Sequence, residues 1–178
     1  MTSRADILAK YIKATDGRPV GDPNTWGGPQ SPALANDWLQ YLTGRRLHVP
    51  GHAIQWADAV DEHGWPTGDE LNASLTVLST VATFYPAEVH HRAVYVPPEV
   101  GDIVVFRTVD GFPGTLGIYL EHGPHGWTVY TQGHMQKVLP AARFYLTTGL
   151  HHPVGWWRVR PECIHAAHGY THEWQVPA

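Results

Sequence analysis

The 178-residue chain is poor in the residues that make the simplest functional assignments. A single cysteine, Cys163, excludes an internal disulfide framework and any thiolate cluster of the zinc-ribbon kind. Charged residues are only 16% of the chain, with 12 Lys and Arg against 16 Asp and Glu, and no basic run is long enough to neutralise a string of phosphates. Nucleic acid is therefore not an expected partner. No stretch of 18 apolar residues exists, and the N-terminal MTSRADILAKYIKATDG has neither an apolar core nor a small-residue cleavage site. The sequence reads as that of a protein made in the cytoplasm with neither signal peptide nor membrane partner.

Glycine (18), proline (15), tryptophan (8) and tyrosine (8) are plentiful, which favours short strands joined by tight turns over a helical bundle. Helices nevertheless open the chain. Ser3-Arg4-Ala5-Asp6 is a capping box, and Ile7, Leu8, Tyr11 and Ile12 form one apolar stripe, which predicts a helix from Ser3 to Asp16 that stops at Gly17. Ser31 followed by Pro32 reads as the N-cap and first turn of a second helix. Its stripe is Leu34, Trp38, Tyr41 and Leu42, and its stop is Gly44. A third, short helix is expected over 53–60, and 61–75 is expected to be loop.

Beyond it, Thr76–Tyr85 reads as a strand, with a short buried helix as the alternative, and Val94–Val96 as an edge strand stopped by Pro97-Pro98. Ile103–Phe106 is apolar on both faces and so belongs at the centre of a sheet. Leu116–Glu121, Trp127–Thr131, Arg143–Thr147 and Val154–Arg160 follow at turn-separated intervals, as in an antiparallel meander. Adjacent Trp156 and Trp157 must face opposite sides of the last strand, so at least one is expected to be exposed or to cover a groove.

Three stretches carry a family resemblance. Trp26, Gly28, Gln30, Tyr41, Gly51 and Ala53 fall in step with the nucleophile helix of CHAP domains, the papain-like cysteine amidohydrolases and peptidases of phage endolysins and bacterial cell-wall enzymes. Gly101-Asp102 before Ile103–Phe106 resembles the start of the first core strand of that family, and GWWRVRP its closing strand. The resemblance spans 26–161, with 1–25 as a leading helix and lead-in and 162–178 as a His-rich tail. It implies an α+β, papain-like CHAP fold, with N-terminal helices packed on an antiparallel sheet of about five or six strands.

The family chemistry needs a thiolate at a helix start, an imidazole within hydrogen-bond reach and a third polar group to orient the ring. At the positions where the resemblance puts these roles stand Ser31, Thr115 and the pair Thr131 and Gly133. A hydroxyl without its base is a poor nucleophile, and losing members of a unit that acts together costs on the order of 10⁴ to 10⁶ in rate. These positions are therefore read as vestigial, with no catalytic residue assigned and no cofactor. The enzyme alternative keeps Ser31 as nucleophile of a peptidoglycan amidase or endopeptidase, served by a displaced His, the candidates being His122, His125 and His134.

Trp26, Gln30, Trp127 and Gln132 are candidates for a retained cleft or partner surface. Cys163, His165, His168 and His172 are the densest set of metal-ligand types, yet Gly169 interrupts the helical spacing of the last two, and no metal is expected. The resemblance implies peptidoglycan or other virion proteins as partners, leaves room for a homo-oligomer, and points to a phage particle as the destination. A cell-wall-binding module is the third reading.

Overall fold

A computed structural model describes residues 3–21, 30–45, 47–49, 52–57, 75–88, 94–109, 114–133 and 139–165. The first helix, α1 (Arg4–Thr15), starts as its sequence dictates. Ser3 Oγ accepts from Asp6 N–H, and the Asp6 carboxylate accepts from Ser3 N–H. Its stripe of Ile7, Leu8, Tyr11 and Ile12 is buried. The second helix, α2 (Ser31–Thr43), ends on Gly44 in the left-handed conformation, φ 63°, as a glycine at that position allows. Leu34, Trp38 and Leu42 face the core, and Trp38 donates its indole N–H to Gly101 C=O at 2.9 Å. A 3-10 turn, Ala53–Trp56, takes the place of the expected third helix within the described residues.

Six strands form one antiparallel sheet: β1 (Ala82–Pro86), β2 (Ile103–Thr108), β3 (Thr115–Gly123), β4 (Gly126–Thr131), β5 (Ala142–Thr147) and β6 (His151–Val159), in the order β1-β6-β2-β3-β4-β5. The fold is thus α+β, with N-terminal helices on an antiparallel sheet. β2 to β5 are a meander, and β6 returns to the far side of β2. As its two apolar faces require, β2 lies inside the sheet, with Ile103, Val104, Val105 and Phe106 all buried.

Both faces of the sheet are apolar. On one, Ile103, Val105, Leu116, Ile118, Tyr130, Trp157 and Val159 pack against α1, α2 and the 3-10 turn. On the other, Val104, Phe106, Tyr119, Trp127, Val129, Leu146 and Trp156 form a second, smaller cluster. Residues near both sheet edges, Tyr85 and Ala87 on one side and Phe144 on the other, pack onto it. The register shifts at Val105/Phe106 between β2 and β6 and at Tyr119/Glu121 between β3 and β4. Trp156 and Trp157 do face opposite sides, but neither is exposed. Trp157 donates to Trp56 C=O at 2.7 Å in the first cluster, and Trp156 lies under Tyr95 in the second. The expectation of an open tryptophan fails because the far face has a core of its own.

Two further sequence expectations change. The stretch read as a strand over 76–85 divides into helical backbone over 75–79, then β1; Ser79 and Thr80 return their hydroxyls to Leu75 and Val77 C=O, a local competitor to a ladder. Residues 94–96 form no strand, and Val94 is 84% exposed. The expected loop lies, for 61–74, outside the described residues. At the other end, the chain past the last strand is not free of the body: Cys163 and Ile164 pack on the helix-side core, and His165 N–H bonds Leu42 C=O at 2.9 Å.

A charged cluster ties α1 to the sheet. Asp102, fully buried, accepts from Arg4 Nη1 at 2.7 Å, from Arg158 Nη2 at 2.8 Å and from Glu99 N–H at 2.8 Å. Arg158 also reaches Glu99 and Pro97 C=O and lies over the Tyr85 ring. Removing Asp102 takes from two mostly buried guanidinium groups the carboxylate they share. Asp102→Ala is predicted to cost about 3–5 kcal/mol, measured by chemical denaturation; a loss below about 1 kcal/mol, the size of an exposed pair, would contradict this.

Candidate functional site

The site is built where the ladder between β3 and β4 runs out. Ile118 pairs with Tyr130, and in the same register Gln132 would face Leu116. The chain leaves the sheet before that pair forms: Gly133 takes φ +57° and turns it away. Leu116 is buried, so its N–H and C=O need other partners. Two hydroxyls supply them. Ser31 Oγ accepts from Leu116 N–H at 3.1 Å, and Thr131 Oγ1 donates to Leu116 C=O at 2.6 Å.

Ser31 is therefore not the N-cap of α2. Gln30 occupies that place with extended backbone, its side chain making no cap bond, while Ser31 and Pro32 are the first two helical residues. The Gln30 C=O accepts from Ala33 and Leu34 N–H, starting the helix from the main chain. The Ser-Pro pair locates the start to within one residue, but the Ser31 hydroxyl points across to the sheet and is 4% exposed as a residue. It is a long-range bond, which local cap statistics do not reveal.

Thr115 precedes Leu116, so the Ser31 oxygen lies within about 5–6 Å of Thr115 Cα by covalent geometry. Thr115 is itself buried. Alternation along β3 sets it on the side of Gly117 and Tyr119, away from the helices, whereas Leu116 and Ile118 face them. Ser31 and Thr131 are thus both bonded to the Leu116 backbone at one end of the sheet, while the Thr115 side chain, next in sequence, is turned to the opposite face from α2 and is not brought together with Ser31.

Gln132 is fully buried and holds two chain segments to this end. Its Oε1 accepts from Val20 N–H at 2.8 Å, and its Nε2 donates to Val20 C=O at 2.5 Å and to Gln30 C=O at 3.1 Å. A Cβ added at Gly133 would lie 2.5 Å from Gln30 Oε1 and 3.0 Å from its Cα, so this glycine is needed for space as well as for its backbone angle. Gln132, read from sequence as a cleft residue, is instead an internal clamp. Trp127, the other such candidate, is buried on the far face against Phe106, Tyr119 and His122. Gln30 is half-buried at the start of α2, and Trp26 lies outside the described residues.

The histidines proposed as a displaced base divide the same way. His122 and His125 are exposed at the β3–β4 turn, seven or more residues along the hairpin from Thr115, with His122 stacked on Trp127 at 4.9 Å and bonded through Nδ1 to Tyr119 Oη at 2.8 Å. They cannot reach Ser31. His134 lies outside the described residues. His52, which sequence reasoning passed over, sits at the correct end: it precedes the 3-10 turn whose Ile54 N lies 3.0 Å from where a Cβ of Gly114 would be, next to Thr115. Burial holds its imidazole below the usual histidine pKa. The signal for it was the Gly51-His52-Ala53 match.

Among the described residues, no group of three or more His, Cys, Asp or Glu could hold a metal ion, and no helix is long and apolar enough to cross a membrane. Of the candidate ligands, His168 and His172 lie outside the described residues.

No family model and no curated protein matches the chain. Among solved structures, the chain is similar to the crystal structure of a wild-type endolysin, LysIME-EF1, with a TM-score of 0.58 and 19% sequence identity. The match covers 89% of this chain and 65% of that one, so this chain spans somewhat under two thirds of the endolysin. The likeness is one of fold.

Ser31→Ala removes the acceptor of a buried N–H, and the expected loss is about 1–3 kcal/mol of unfolding free energy. Gly133→Ala combines a left-handed backbone with a collision and should lose at least about 1–2 kcal/mol. Denaturant midpoints measure both; a Ser31→Ala protein as stable as wild type would contradict the bond to Leu116.

Proposed function

We propose that this chain is a catalytically silent, CHAP-like protein that acts by binding, as a structural component of a phage particle such as a minor tail or capsid-associated protein. The observation that carries this reading is the use made of the Ser31 hydroxyl. At the helix start where the family resemblance puts a nucleophilic thiol, the side chain accepts the Leu116 N–H and helps to close the sheet. Thr131, where the resemblance puts the orienting group, donates to the same residue. Thr115, where it puts the base, has no proton-accepting nitrogen. Each position does packing or backbone work that a hydroxyl performs well and that asks for no general base. The endolysin-like fold supports an origin among wall-directed proteins, and it leaves the surface of such a protein free to bind peptidoglycan or other virion proteins once turnover is lost.

A second reading has one observation in its favour. His52 is partly buried, its imidazole held below the usual histidine pKa by that burial, and it precedes the 3-10 turn that packs beside Gly114, the residue before Thr115. Under it the protein is a peptidoglycan amidase or endopeptidase with a serine nucleophile. The two differ in what Ser31 does to an electrophile. The silent reading expects no covalent labelling of Ser31 by a fluorophosphonate probe, no clearing of a peptidoglycan suspension, and the protein present in purified phage particles by mass spectrometry. Labelling that is lost in both Ser31→Ala and His52→Ala, together with clearing by the wild type, would establish the enzyme instead. Co-sedimentation with insoluble peptidoglycan, without clearing and without incorporation in particles, would favour a wall-binding module.

A further inference from the structure

We draw no further inference here: the strongest candidate, the surface patch where exposed Val94 and half-exposed Tyr95 lie beside Trp156 of the far-face aromatic cluster, carries nothing because nothing in the structure shows what covers it.

Discussion

A buried strand must find partners for every main-chain group, and at Leu116 the sheet has none to offer. The β3–β4 ladder stops one pair short, because β4 turns away at Gly133 to let the α2 start and the chain around Val20 come in. The whole arrangement of this end follows from that gap. Ser31 fixes where α2 begins relative to β3, Thr131 fixes the exit of β4, and Gln132 fastens the segments at Val20 and Gln30 to the same place. An unpaired buried main-chain group costs about 1–3 kcal/mol, a large fraction of a typical domain's stability. This makes the identity of residues 31 and 131 a structural matter before it is a chemical one.

The same residues bear on function. The Leu116 N–H engages a lone pair of the Ser31 oxygen and holds it against the sheet, whereas activation as a nucleophile would need in addition a base that takes the hydroxyl's own proton. The fold, similar to that of an endolysin, and the silent reading proposed for the site are compatible: the hydroxyls of Ser31 and Thr131 serve the main chain of β3. Elsewhere the molecule is stabilised by ordinary means, a helix-side core, a smaller aromatic core on the far face, and the Asp102 cluster that ties Arg4 of α1 to Arg158 of β6.

Much of the fold was legible in the sequence because its signals are local. The capping box at Ser3, the Gly44 stop, the doubly apolar Ile103–Phe106 and the turn-separated strands after it each depend on neighbours in the chain, and each appears where the pattern put it. What was not legible depends on distant residues. Ser31 reads as a cap because its true partner is 85 positions away. Gln132 reads as a cleft or partner-binding residue because the clamp it makes closes on Val20, 112 positions away. One of Trp156 and Trp157 reads as exposed or as covering a groove because nothing in a strand's alternation tells that the far face of the sheet carries its own core. His52 stands between Gly51 and Ala53 of the family match, but its place beside Gly114 is made by the 3-10 turn and is not visible in the sequence.

The central claim is that the Ser31 hydroxyl serves as the acceptor for the Leu116 amide. Residue-resolved hydrogen exchange by NMR, comparing wild type with Ser31→Ala under native conditions, measures that bond. The account predicts that Leu116 N–H in the wild type is protected to the level of the central strands, and that in Ser31→Ala it exchanges faster by at least about tenfold relative to Ile118 and Val105, a difference of about 1.4 kcal/mol in local opening. A Leu116 amide that exchanges at the same rate in both proteins would contradict it, and would release Ser31 for another role.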